Sequence, residues 1–370
     1  MKKPRVAVIG LKGLPAYGGA AAVGENIIDN LKDQYNFTVF SVSSHTKQKT
    51  GTFNGYKQIV LKKFPLSKLN VIYYNIASSI IALFKSYDFV HVHHTDIAAV
   101  LIILRIKYRV IITSHGSQYQ RIGINFKYSR FESKLLLLSE KYFLKLANII
   151  TCVSKSLSSD LEKRYDRKIH YIPNGFIPIE KYKIESYMDK INYKDFILFA
   201  AGRIIPTKGC HIFLEALHQI QYKKNVVVVG DLDQVPEYKN RILHLSNGLN
   251  VHFTGLIKEK EHLFSIVKKA SLFVFPSSLE TMSMMLLEVA SLGCPIISSD
   301  IKANIDVFND EEVTLFNVDN VSDLASKLLY YLHNKNECDN KAIKAYNKLK
   351  TFYRWSYISN KYNQLYNQLK

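Results

Sequence analysis

Short apolar runs rich in β-branched residues recur along the 370-residue chain and alternate with segments of helix length. "RVAVIG", "FTVFSVS", "FVHVHH", "RVIITSHG" and "NIITCVS" follow one another in the first half, the first of them leading into a helix expected from about Val23 to Leu31. Parallel strands need a long crossover, usually a helix, so this alternation predicts βαβ units on a parallel sheet. The pattern pauses at "YIPNGFIPIEKYKIESYMDKINYKDF" and restarts with "ILFAAGR", "NVVVVGD", "NVHFTG", "SLFVFPSS" and "CPIISSD". Two doubly wound α/β domains with a cleft between them are therefore expected, the boundary falling between Asn174 and Lys194.

Composition narrows the class of protein. With 47% hydrophobic and 22% charged residues the chain is globular rather than disordered. "MKKPRVAVIG" does not read as a secretory signal. The most apolar stretch, Leu69 to Phe84, is broken by Asn70, Asn75, Ser78 and Ser79 and falls short of the roughly 20 residues of a spanning helix. Cys152, Cys210, Cys294 and Cys338 lack metal-type spacing, which favours a reducing, cytoplasmic setting over a disulfide framework.

The net charge of +19 is lopsided: residues 1–176 hold 26 Lys and Arg against 10 Asp and Glu, and the rest hold 24 against 21. Such asymmetry points to an anionic partner for the first half, a membrane surface or nucleic acid. Lys62, Lys63, Arg105, Lys107, Arg109, Arg121, Lys127, Arg130, Lys134, Lys141 and Lys145 stand in or beside apolar, aromatic-rich segments. Basic and amphipathic together read as contact with an anionic membrane surface. The alternative is that Leu135, Leu138, Tyr142 and Leu146 face the domain core and the lysines are merely solvated. No signature of specific nucleic-acid binding accompanies the charge.

"SSLETMSMMLLEVASLGCPIISSD" contains Met282, Met285, Leu286, Val289 and Leu292 at helical spacing, stopped by Gly293 and Pro295. Glu280 then sits on a strand-to-helix loop, where open α/β sheets gather ligand groups. Glu288 lies about two turns further on. Read alone, Glu280 is equally a partner of the helix dipole and Glu288 a solvated helix residue. Three more strand-end loops can hold ligand groups. "GLKGLPAYGGAA" places Gly18 and Gly19 before a helix, as close phosphate approach requires, yet it lacks the GxGxxG order of a dinucleotide site and also reads as a plain turn. "AGRIIPTKGCHIF" offers Arg203 and Lys208 ahead of a helix starting near Gly209, a pyrophosphate clamp or two surface cations. "HGSQYQRIG" places His115 directly after a strand. His91, His93 and His94 at a strand end face the expected cleft or the core, and without carboxylates beyond Asp96 they make a poor metal site. Asp231 and Asp233 form an Asp-x-Asp after a strand, a short match to a metal-dependent transferase of the GT-A type.

Taken in order, "AGRIIPTKG", "NVHFTGLI", "SLFVFPSSLE" and the Glu280-x7-Glu288 pair resemble the C-terminal domain of retaining glycosyltransferases of family 4, which have the GT-B fold. "GLPAYGGAAAVGENI", "TSHG" and "IPNG" resemble that family's acceptor domain, and "TFYRWSYISNKYNQLYNQL" its closing helix. The resemblance implies an acceptor domain over 1–176, a nucleotide-sugar domain over 177–350, and a helix over 351–370 returning to the first. It implies that Glu280 bonds the donor sugar, Glu288 the ribose, Arg203 and Lys208 the diphosphate, that Gly18 and Gly19 approach the same phosphates, and that His115 lies near the sugar. Thr281, Met282, Ser283 and Met284 replace the glycine-rich turn of many relatives, leaving the donor sugar open. No metal or cofactor is expected, the nucleoside diphosphate sugar being a substrate. Two fixed cations would stabilise the charge developing on the leaving diphosphate. The family's front-face mechanism lets that phosphate take the acceptor proton, so no general base is assigned; a carboxylate nucleophile is the competing route. The charge excess favours a lipid-linked acceptor of bacterial surface polysaccharide assembly and a peripheral place at the inner membrane face. A sugar-nucleotide 2-epimerase is the rival enzyme, and a basic nucleic-acid-binding protein the rival of another class.

Overall fold

In the computed structural model, residues 2–16, 19–66, 70–117, 130–178 and 195–370 are described; Gly18, Arg121 and Lys127 lie outside them. The chain divides into two compact units, one of Met1–Asn174 with Trp355–Lys370 and one of Gly175–Arg354.

The first unit runs β1 (Arg5–Ile9), α1 (Gly19–Leu31), β2 (Asn36–Val42), β3 (Gly51–Phe53), β4 (Tyr56–Leu61), α2 (Asn70–Leu83), β5 (Phe89–His93), α3 (Leu101–Leu104), β6 (Arg109–Ser114), α4 (Arg130–Phe143), β7 (Ile149–Cys152), α5 (Lys155–Tyr165) and β8 (His170–Tyr171). Its sheet has the order β3-β4-β2-β1-β5-β6-β7-β8. Every pairing is parallel except β3 with β4, a hairpin closed by Asn54 and Gly55, both at positive φ. The first helix begins at Gly19, four residues ahead of the expected Val23, because Ala20, Ala21 and Ala22 extend its first turn without cost in side-chain entropy.

The second unit runs β9 (Phe196–Arg203), α6 (Cys210–Gln219), β10 (Asn225–Asp231), α7 (Pro236–Leu245), β11 (Asn250–Gly255), α8 (Lys260–Lys269), β12 (Leu272–Phe275), α9 (Met284–Ser291), β13 (Ile296–Ser299), α10 (Lys302–Ile305), β14 (Thr314–Phe316), α11 (Val321–His333) and α12 (Lys335–Phe352). Its sheet is all parallel in the order β11-β10-β9-β12-β13-β14. Val226 to Val229 of β10 are buried, as a strand covered on both faces requires. All four cysteines are free and buried.

The last helix, α13 (Trp355–Asn367), belongs to the first unit and packs on α1. Trp355, Ile358, Tyr362, Leu365 and Tyr366 supply its buried face. Tyr366 lies 4.9 Å from Phe89 and 5.3 Å from Tyr35, ring centre to ring centre, and its hydroxyl meets His91 Nδ1 at 2.7 Å. Tyr366→Ala is expected to cost about 3–5 kcal/mol by leaving a cavity. Tyr366→Phe, which removes only the partner of His91, should cost about 1–3 kcal/mol. Urea titrations followed by hydrogen exchange of β5 amides would separate the two losses; equal stability of the alanine variant and the wild type would show that the terminal helix is not integral to the first unit.

Candidate active site

Seven of the residues singled out from the sequence, Arg203, Lys208, Glu280, Thr281, Met282, Ser283 and Glu288, lie on the segments that follow β9 and β12 in the second unit. Arg203 closes β9 and is exposed, without an ion-pair partner among the described residues. A single 3-10 turn, Pro206–Lys208, leads to Gly209, the residue before α6. Gly209 has φ +71°, and a Cβ there would sit 2.0 Å from the Pro276 carbonyl oxygen. Only glycine permits that approach. Ser278 N donates to Thr207 O at 2.9 Å, tying this turn to the loop after β12. The tie brings Lys208 Nζ to 2.5 Å from Glu280 Oε1.

Ser283 caps α9, its hydroxyl accepting from Leu286 N, while the Met282 side chain is buried. From Leu286 to Ser291 every residue of α9 is buried, Glu288 included at 8% exposure. The reading of Glu288 as a solvated helix residue is thereby corrected: α9 is covered all round. Its carboxylate accepts a hydrogen bond from Lys260 Nζ. Sequence reasoning missed Lys260, whose signal was its place in the first turn of a helix following a strand, β11, the topological equivalent of Lys208. Both carboxylates thus carry a lysine. Such a set can bind a diphosphate through its cations and hydroxyls through its carboxylates.

Asp231 and Asp233 are engaged otherwise. Asp231 Oδ1 accepts from Asp233 N at 2.9 Å and Oδ2 from Gln234 Nε2 at 2.5 Å, while Asp233 pairs with Lys239 at 2.7 Å. The carboxylates shape their own loop. No group of three or more His, Cys, Asp or Glu side chains among the described residues is placed to hold a metal ion.

In the first unit the loop after β1 is held from three sides. Tyr74 OH accepts from Gly10 N and Lys12 N at 3.1 and 3.2 Å and donates to Phe40 O; Gln58 Oε1 receives Leu14 N, and Thr46 donates to Leu14 O. Gly19 opens α1 with φ +54°, and among the described residues a Cβ there would meet nothing within 4 Å. His115 follows β6. Its Nε2 lies 3.0 Å from His93 Nδ1, and the two rings stack at 5.3 Å. His93 stacks in turn on His91 at 4.1 Å; His91 Nε2 meets Thr113 Oγ1 at 2.7 Å, and Thr113 meets Thr151. His91 and His93 are therefore interior members of the sheet, correcting the alternative that they face a cleft. Burial, assisted by the neighbouring imidazoles, pushes His91 down to about 3 and His93 well below the ordinary histidine range.

Two parallel-sheet α/β units, with cations and carboxylates at strand ends of the second, define a protein of the GT-B type. Sequence models of known families agree: "Glycosyltransferase Family 4" matches residues 17–178 and "Glycosyl transferases group 1" residues 184–348. The chain belongs to the GT-B glycosyltransferases. It is 25% identical over 338 residues to an uncharacterised glycosyltransferase of Methanocaldococcus jannaschii, covering 87% of this chain and 86% of that one. An O-antigen biosynthesis glycosyltransferase of Escherichia coli is 24% identical over 77% of this chain and 80% of its own length. A Campylobacter jejuni N,N'-diacetylbacillosaminyl-diphospho-undecaprenol α-1,3-N-acetylgalactosaminyltransferase is 26% identical over 50% of this chain and 46% of its own. Among solved structures, sucrose-phosphate synthase from Thermosynechococcus elongatus superposes with TM-score 0.85 at 19% identity, covering 99% of each chain. Anabaena HepE in complex with UDP-glucose does so with TM-score 0.75 at 16% identity, covering 99% of this chain and 100% of that one.

The buried imidazoles set a pH dependence. An unfolded imidazole protonates near 6.5 and His91 in the fold only near 3, so between these values the unfolded chain binds the extra proton. The contribution of neutral His91 is complete above about pH 6.5 and is lost as pH falls below it, at most about 1.4 kcal/mol per pH unit. Thermal unfolding at pH 7, 6 and 5 should show this decline, and His91→Gln should flatten it; an unchanged slope in the variant would assign the pH dependence elsewhere.

Proposed function

We propose that this glycosyltransferase takes its sugar from a nucleoside diphosphate donor, with retention of configuration, and transfers it to a lipid-linked, phosphate-bearing acceptor in bacterial surface polysaccharide synthesis. The observation that carries the donor reading is the pair of lysine–carboxylate contacts, Lys208 with Glu280 and Lys260 with Glu288, beside Arg203, which has no ion-pair partner among the described residues. On this reading Glu288 holds the ribose hydroxyls, Glu280 the sugar hydroxyls, and Arg203 with Lys208 the diphosphate. Breaking the glycosidic bond leaves an oxocarbenium-like sugar and a more negative diphosphate, and cations fixed before the reaction stabilise that charge without reorganisation. Thr281, Met282 and Ser283 line the same turn and bear on which sugar is accepted. For the first unit the reading assigns Gly18 and Gly19 to the phosphates and His115 to the donor sugar. The leaving phosphate takes the acceptor proton, so neither a metal nor a protein base is invoked.

UDP-glucose bound to HepE supports a nucleoside diphosphate donor. The undecaprenol-linked substrate in the C. jejuni relative's name supports a lipid-linked acceptor, and the E. coli relative a surface polysaccharide. Such an acceptor would place the enzyme at the inner face of the plasma membrane, in keeping with the basic first unit. An epimerase using the same donor residues would instead convert UDP-N-acetylglucosamine without any acceptor, which a coupled assay detects.

Thermal stabilisation by a panel of nucleoside diphosphates and their sugars tests the donor reading. One base family, at 100 times its Kd, should stabilise the wild type by about 2.7 kcal/mol, with or without Mg²⁺. Lys208→Ala and Glu288→Ala should weaken binding by about tenfold or more, and Asp231→Asn should leave it unchanged. Stabilisation that needs Mg²⁺ and vanishes in Asp231→Asn would move the diphosphate to the Asp-x-Asp loop.

A further inference from the structure

Helix α2 is inside out. Its exposed positions are Ile72, Ile76 and Ile80, 55, 41 and 43% exposed, and Phe84 follows at 86%. Asn70, Asn75, Ser78 and Ser79, the residues that interrupt its apolar run, all face inward and are buried. Among the described residues Asn75 Oδ1 and Ser78 Oγ have no hydrogen-bond partner, an arrangement that lowers stability. Tyr74 explains why the helix is held this way round, because its hydroxyl is tied to Gly10, Lys12 and Phe40. Nothing in that tie requires isoleucine at the outward positions. Spaced by four residues, the isoleucines and Phe84 form one line about 18 Å long at 1.5 Å per residue.

The neighbouring helices continue the surface. The crossovers carrying α2, α3 and α4 all step in the same direction along the sheet, so right-handed connections put these helices on one face. Ala99 N donates to Ser139 of α4, and Lys107 Nζ to the carbonyls of Leu83 and Lys85 at the end of α2. On this layer Ile102, Ile106, Leu135, Leu138, Tyr142 and Leu146 are exposed. The alternative that the last four face the core is thereby corrected. Arg105, Lys107, Lys134, Lys141 and Lys145 are exposed among them, whereas Glu140 is buried. A second copy of this chain would bring the same positive charge to the face, and like charges in apposition oppose pairing.

We propose that the outer face of α2, α3 and α4 docks on an anionic lipid bilayer, the isoleucine line entering the acyl boundary while Lys134, Lys141 and Lys145 hold headgroup phosphates. This deepens the lipid-linked reading, on which its purpose rests; its test needs neither donor nor acceptor. Flotation with vesicles of phosphatidylcholine, with and without phosphatidylglycerol, reads it directly. The wild type should partition onto the mixed vesicles, and raised salt should weaken but not abolish this, since screening spares the apolar part. Ile76→Asp with Ile80→Asp should lower partitioning at least about tenfold, and Ile76→Leu should keep it. Circular dichroism and the response to nucleoside diphosphates should be unchanged in both, separating docking from the donor site. Equal partitioning of wild type and aspartate variant would overturn the proposal. So would a dimer in sedimentation that the same substitutions dissociate. Vesicle binding by a protein that responds to no nucleotide would uphold docking and remove the donor reading.

Discussion

Parallel strand pairing is the constraint from which the rest of the molecule follows. Apart from β4, which follows β2 by way of the β3 hairpin, successive parallel strands are joined through helices, so within a unit the strand-to-helix loops leave the sheet at the same edge. Both faces of the sheet are then covered, and the strands become apolar throughout, as β10 does. Polar chemistry is driven to that edge. There Gly10 and Gly209, at φ +104° and +71°, let the backbone turn against a neighbouring carbonyl, the oxygens of His93 and Pro276 respectively. Neither turn can carry a Cβ without displacing the strand beside it. The loops bearing Lys208 and Glu280 are consequently fixed by backbone sterics before any side-chain attraction acts.

The ion pairs come second and have a different role. Glu280 and Glu288 have side chains only 11% exposed. A carboxylate so placed without a cation would be a heavy desolvation cost, and Lys208 and Lys260 offset it. Pairs of this kind add little net stability compared with a packed apolar core. A lysine has three donors, and for Lys208 the contact with Glu280 occupies one of them. Arg203, exposed and unpaired among the described residues, adds a further positive charge on that edge, so the resting balance favours an anion.

Most strands, the break between the two α/β patterns and the residues Arg203, Lys208, Glu280 and Glu288 were legible in the sequence, because period-two apolar runs and strand-end loops announce themselves locally. The β3–β4 hairpin was legible too and overlooked: Asn54-Gly55 between Phe53 and Tyr56 is a strong two-residue turn signal. Lys260 was hidden by its surroundings, one lysine in "KEKEH" with nothing local to mark its partner 28 residues on. Helix α2 was illegible for a deeper reason. Periodicity says which residues share a helix face, not which face turns inward, and Tyr74, bonded across 64 residues to Gly10, decides that.

The same distinction between local pattern and long-range tie governs His115. Its spacing after β6 marks it as a strand-end residue and no more. Its ring meets His93, which stacks on His91, and His91 is bonded to Thr113 within the sheet and to Tyr366 from the end of the chain. The two inner imidazoles are kept neutral by burial, so they cannot repel a cation at His115, nor can they attract an anion to it. What they contribute is orientation: the His93 stack and hydrogen bond fix how the His115 ring is set. The last helix therefore completes more than a hydrophobic core. Through Tyr366 it closes the far end of the stack that positions His115, which gives a physical reason for the chain to return, after the second unit, to the first.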